Sequence, residues 1–383
     1  MQDRTNRIDS IDIMRGLIMV VMALDHARDF WTNAEFDPTD AKTTTIAYYV
    51  TRWITHLCAP WFMLLAGAGA ALSLGRGRDK RSLSWFLVTR GLWLIVLELT
   101  IVNFAWKGPT FDPTFVRFMV LCALGSSMIV LAALVHLPRW IVLAFAVVLI
   151  VGHNAFDHVE PEQLGGFAWV WNLLHVPGII GAEPHAGASM FVLYPLVPWI
   201  GVMALGYCAG PWITSLAPER RARTFALLGV ALLAAFAIVR GIDIYGDPNP
   251  RESLPTMTQT VMSFLNVTKY PPSLDFMLVT TGAGLLVLAL IEATRSARLW
   301  HPIRTFGRVP MFYYLVHVAL ISATFELAHV IAMGHLRTET EGWGFGLGVV
   351  YLAWIGYVIA LYPLCRWFEG VKQRRRDWWL GYL

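Results

Sequence analysis

Charge is what this sequence has least of. Only 15% of its 383 residues are Asp, Glu, Lys or Arg, against roughly 25% in a soluble domain, so a single water-surrounded globule is excluded. Cysteine is scarce as well. Cys58, Cys122, Cys208 and Cys365 stand singly inside apolar runs, and without a CxxC pair neither a disulfide framework nor a metal site is expected. There is no glycine-rich phosphate loop, internal repeat, low-complexity tract or nucleic-acid motif, so no nucleic-acid partner is expected. The first apolar run lacks a small-residue cleavage site and is expected to stay as a helix.

What is present is apolar mass: 56% hydrophobic residues, seventeen Trp and twenty-one Phe, and a mean hydropathy of +0.54. Apolar stretches of about 20 residues, each long enough to cross a bilayer as a helix, recur along the chain. They predict an all-α, polytopic membrane bundle of ten spans, near residues 11–27, 53–74, 83–106, 115–136, 140–156, 190–209, 222–240, 274–293, 310–333 and 345–368. One membrane domain covers 1–383, with a proline-rich loop at 241–273 and a capping stretch at 153–189.

The positive-inside rule gives the orientation. With both ends in the cytoplasm, the basic loops fall inside: Arg76, Arg78, Lys80 and Arg81, then Arg139, then Arg220, Arg221 and Arg223. Arg295, Arg298, Arg304, Arg308 and the tail Lys372, Arg374, Arg375 and Arg376 follow. The acidic loops (Glu35, Asp37, Asp40, Asp157, Glu160, Glu162, Glu183) fall outside. Membrane topology and anionic lipid account for the basic loops.

Ionisable groups within a span are costly, so each is a candidate for function. Helix 1 ends Asp25-His26-Ala27-Arg28-Asp29, which makes His26 and Asp29, and also Asp25 and Arg28, i,i+3 neighbours. A carboxylate beside an imidazole fixes its tautomer and raises its basicity, as a general base requires. The alternative is a salt-bridged helix end at the interface. Arg52 and His56 open helix 2, with His56 at the depth of His26; a lone interfacial histidine is more often structural, but two at one depth on consecutive helices make a functional pair an equal reading. Counting from Arg308 puts His317 near the midplane and Glu326 about two turns further out. In helix 3, Arg90 and Glu98 read as a structural ion pair or helix glue. Before helix 8, Lys269 can bind an anionic group, Ser273 can cap the helix and Asp275 suits its positive end.

Five segments in order carry a family likeness. Ser10-Ile11-Asp12-Ile13-Met14-Arg15-Gly16-Leu17 resembles the S-[IL]-D-x-x-R-G-L opening of the heparan-α-glucosaminide N-acetyltransferase family. Pro60-Trp61-Phe62 resembles its helix 2, and Pro195-Leu196-Val197-Pro198-Trp199-Ile200-Gly201 its P-x-x-P-W-x-G segment. Lys269-Tyr270-Pro271-Pro272-Ser273 and the Gly307–His317 stretch resemble later segments of its bacterial branch. The resemblance implies transfer of an acetyl group from cytosolic acetyl-CoA to a glucosamine amine across the membrane, and a homodimer. His26 falls where the family carries an asparagine, and His317 matches a family histidine. The outer-loop histidine usually given the catalytic role has no counterpart in 31–52, which leaves that function to His26 or His56.

The expectation is an acyltransferase in a bacterial inner membrane, with acetyl-CoA as donor, no metal, and membrane lipid and a glycan or amino-sugar acceptor as partners. Catalytic candidates are His26, Asp29, His56 and His317; binding candidates are Asp25, Arg28, Arg52, Lys269, Tyr270, Ser273 and Trp199. Lys269 or Tyr270 would steady the oxyanion. A proton-coupled small-molecule transporter and a non-catalytic scaffold remain open.

Overall fold

Charges at both ends of an apolar helix suit a span packed in the middle of a bundle, and the first helix takes that place. In a computed structural model, residues 8–75, 77–181, 187–338, 342–375 and 377–382 are described; Arg76, Glu183 and Arg376 lie outside them. Helix α1 (Asp9–Trp31) is followed by α2 (Ile46–Ile54), a 3-10 turn (Thr55–Leu57) and α3 (Cys58–Gly75). Next come α4 (Lys80–Leu97), a π turn (Glu98–Val102), α5 (Asn103–Lys107), strand β1 (Phe115–Phe118) and α6 (Val120–Leu134). The middle of the chain supplies α7 (Arg139–Gly152), α8 (Ala168–Leu174), β2 (Gly178–Gly181), β3 (Ser189–Val192), α9 (Leu196–Ser215) and α10 (Pro218–Ile242). The last third runs through α11 (Met257–Leu265), α12 (Leu274–Thr294), α13 (Trp300–Arg308), α14 (Pro310–Met333) and α15 (Leu347–Arg374).

Helix α1 packs against α3, α12, α13, α14 and α15. Its approach to α13 is backbone on backbone: a Cβ on Gly16 would lie 1.8 Å from the Ile303 carbonyl oxygen, and one on Gly307 would lie 1.8 Å from that of Asp12. Only glycine fits such a crossing. The small-residue run of α3 works likewise, with Gly67 against the Met203 carbonyl of α9, while Gly69 faces open space.

Among the described residues, eight helical stretches are long and apolar enough to cross a membrane. The expected 115–136 span begins instead as β1, which pairs parallel to β3, itself antiparallel to β2. Asn103 pins this strand by accepting from Arg117 N at 2.8 Å and donating to Arg117 O at 3.0 Å. A four-residue run such as Phe-Val-Arg-Phe satisfies a strand and a helical turn equally well, so periodicity alone misassigns it. The sixth span likewise starts at Leu196, because 189–192 belongs to β3. The 241–273 loop contains α11 and is held by fully buried Arg240, which donates to the carbonyls of Asn249 and Asn266 at 2.8 and 2.9 Å.

Candidate active site

The long α1 carries its polar cluster into the bundle, because the helix continues four residues beyond the expected Ala27. Across from it, α14 presents His317, which is fully buried. The two imidazoles meet: His26 Nδ1 lies 2.7 Å from His317 Nε2, with the rings nearly parallel at 10°.

Hydrogen-bond chemistry fixes the tautomers. His317 Nδ1 is 2.9 Å from the Tyr313 carbonyl, which can only accept, so Nδ1 carries the proton. Neutral His317 therefore accepts at Nε2, and His26 must donate from Nδ1. The lone pair of His26 is then at Nε2, which makes no hydrogen bond to a described residue. An imidazole held by its far nitrogen with its near one bare is the arrangement of a general base or nucleophile.

Asp29, the expected orienter of His26, instead bonds Arg28 and is partly exposed. His317 holds the position on His26 expected of Asp29. Arg28 also pairs with Asp25 at 2.9 Å. Asp25 further accepts from Arg52 Nη1 on both oxygens, at 2.9 and 2.8 Å, and from the Thr55 hydroxyl at 2.9 Å. A buried carboxylate needs such compensation. The network ties α1 to α2.

Two cavities approach the histidine pair from opposite ends of the bundle, each stopping at an aromatic side chain beside the imidazoles. The first, of about 320 Å³, opens at the basic end; Arg15, Arg90, Arg308 and Lys372 are on its wall, and so is Tyr314. The Tyr314 ring is 6.3 Å from that of His26 and 5.6 Å from that of His317. The second, of about 510 Å³, is lined by Asp29, Glu98, Arg117, Arg337 and Trp106. Trp106 sets its ring 4.8 Å from His26, edge to face. Tyr314 and Trp106 are thus the two walls between the cavities and the imidazoles.

A third cavity, of about 360 Å³, is lined by Asp25's partner Arg52 and by His56, Lys269 and Tyr270. Asp25 and Lys269 act electrostatically on both His26 and His56. His56 is 3% exposed, and its Nδ1 has no hydrogen-bond partner among the described residues.

Ser273 and Trp199 are not brought to these cavities. Ser273 is fully buried and caps α12, accepting from Phe276 N at 3.1 Å and donating to Asp247 at 2.7 Å. Trp199 is fully buried in the packing of α9 near Tyr194. Arg90 and Glu98 do not form the expected ion pair: Arg90 donates to the Gly381 carbonyl at 2.6 Å, and Glu98 accepts from Leu121 N at 2.6 Å. Tyr314 could have been inferred from its spacing of three residues before His317. Trp106 could not, because a π turn at Glu98–Val102 resets the phase of α5.

The motif residues have structural counterparts. Asp12 pairs with Arg15 at 3.2 Å and approaches Arg308 at 3.9 Å, so the S-I-D-I-M-R-G-L segment builds the rim of the basic-end cavity. The family model described as heparan-alpha-glucosaminide N-acetyltransferase, catalytic, matches residues 7–241. That is more than half of the chain, and the chain belongs to this family. A search of curated proteins finds no match.

Proposed function

We propose, taking that family membership as premise, that this integral membrane protein is an acyltransferase that joins a donor and an acceptor arriving from opposite sides of the bilayer. The basic end faces the cytoplasm, with ten crossings and both chain ends inside, in keeping with the positive-inside rule. Acetyl-CoA is the donor. Its phosphates suit the cations of the basic-end cavity, since charge-assisted contacts to phosphate favour arginine, and its pantetheine arm points the thioester toward Tyr314.

The acceptor, a sugar amine or hydroxyl, comes in from the far side past Trp106. His26 Nε2 removes its proton as the nucleophile attacks the thioester carbonyl. Collapse of the tetrahedral adduct breaks the C–S bond, and the proton held by His26 passes to the departing thiolate. His317 is a positioning residue: it keeps the His26 proton on Nδ1 and shares the positive charge that develops. Lys269 and Tyr270 line the third cavity with His56, so the expected oxyanion role is not assigned to them.

The observation that carries this reading is the 2.7 Å His26–His317 bond between two opposed cavities. Its test is label transfer from radiolabelled acetyl-CoA to hexosamine acceptors by purified protein. His26→Gln is expected to lose about a hundredfold or more, the scale of general-base catalysis. Undiminished transfer by His26→Gln contradicts the reading.

A further inference from the structure

The third cavity has a cation with no carboxylate to answer it. Lys269 is only 8% exposed. Its ammonium lies 5.1 Å from the centre of the Tyr270 ring, and among the described residues no acid reaches it at ion-pair distance. The neighbouring arginines are already committed: Arg52 to Asp25, and Arg28 to Asp25 and Asp29. Asp37 stands exposed on the wall and spends its carboxylate on the backbone and hydroxyl of Thr39, both at 2.8 Å.

Burying an ammonium without a counter-ion is costly, and the surrounding groups register the surplus. Burial pushes the Tyr270 hydroxyl up, yet the charges of Lys269 and Arg52 and hydrogen bonds with Tyr194 and Lys269 bring it below the ordinary tyrosine value. The remaining polar lining consists of neutral groups: Asn249, whose amide donates to Thr268 Oγ1 at 2.9 Å, and His56, whose buried Nδ1 is unpartnered among the described residues. One buried cation, one orphaned imidazole nitrogen and amide and hydroxyl groups around about 360 Å³ make a receptor for an oxyanion.

We propose that this cavity binds a phosphate, sulfate or carboxylate group, with Lys269 as its counter-ion and His56 as a hydrogen-bonding partner. Resting on the acyltransferase reading, the group is an acidic substituent of the acceptor. The ion-pair chain Asp29–Arg28–Asp25–Arg52 runs from the Trp106 cavity, whose wall includes Asp29, to this one, whose wall includes Arg52. Lys269 thus discriminates among acceptors at a distance from the reacting atoms.

Binding is measured apart from turnover, by titrating purified full-length protein with glucosamine 6-phosphate and with glucosamine. A second pair of samples, in nanodiscs with and without phosphatidylglycerol, separates a soluble anion from a lipid headgroup. The phosphosugar is expected to bind wild type, Lys269→Arg and His26→Gln alike, and about tenfold or more weakly to Lys269→Gln, as loss of one buried charge partner implies. Lys269-dependent binding in the phosphatidylglycerol nanodiscs alone assigns the same oxyanion chemistry to a lipid. Equal binding by wild type and Lys269→Gln, or none in either arm, overturns the proposal. Because His26→Gln reports on transfer and Lys269→Gln on binding, failure of the acyltransferase reading leaves a different signature. In turnover, Lys269→Gln is expected to raise KM for the acidic acceptor and leave kcat within about twofold, whereas an oxyanion-stabilising role would lower kcat.

Discussion

At the scale of single residues, the chemistry depends on which nitrogen carries which proton. Because a backbone carbonyl pins His317 Nδ1, replacing His317 with Phe removes the acceptor for His26 Nδ1 and frees the ring. We expect His317→Phe to reduce kcat by about tenfold or more while the KM for acetyl-CoA moves little, since the lost contact serves the transition state. Asp25 belongs to the same scale. Replacing Arg52 with Leu removes the contact that spans both Asp25 oxygens, and breaking a buried pair costs about 3 kcal/mol, read as a lower unfolding temperature in detergent. The sequence made His26, His56 and His317 visible because a histidine in an apolar span stands out. It pointed to Asp29 as the orienter because i,i+3 spacing is readable within one helix, whereas the contact that forms joins residues on α1 and α14, which no spacing rule connects.

At the scale of elements, the position of α1 decides whether the two histidines meet. Its crossing with α13 leaves no room for a side chain at Gly16. Gly16→Ala must push backbone against backbone and is expected to cost about 1–3 kcal/mol, with loss of transfer activity in parallel. The π turn before α5 is the corresponding device on the other wall. Asn103 bonds the Glu98 carbonyl at 2.6 Å as well as both backbone groups of Arg117. Asn103→Leu strands these groups and displaces Trp106; a stability loss of about 2 kcal/mol is expected, measured by thermal unfolding. Long apolar helices such as 310–333 were legible to the residue, because hydropathy and a Pro at the helix start bound them. The strand at 115–118, the π turn and the four extra residues of α1 were not, since each is fixed by partners distant in sequence.

At the scale of the whole molecule, the arrangement is an hourglass of function: a cationic cavity at one end, two polar cavities at the other, and an imidazole pair between them, screened by Tyr314 and Trp106. The membrane character was legible in composition alone. The cavities were not, because a cavity is the space between helices and has no residues of its own in the sequence. Arg90, half-buried in the basic-end wall and bonded to the Gly381 carbonyl, is expected to matter for the donor only: Arg90→Gln should raise KM for acetyl-CoA about tenfold and leave acceptor KM unchanged, read by steady-state kinetics with each substrate varied.

Sidedness tests this arrangement most directly. In proteoliposomes sorted for orientation, radiolabelled acetyl-CoA is supplied at the basic end and a hexosamine acceptor at the other. Label is expected in the acceptor when the two are on opposite sides, falling about a hundredfold in His26→Gln. Transfer that requires both substrates on one side, or that persists without the His26 imidazole, would contradict it.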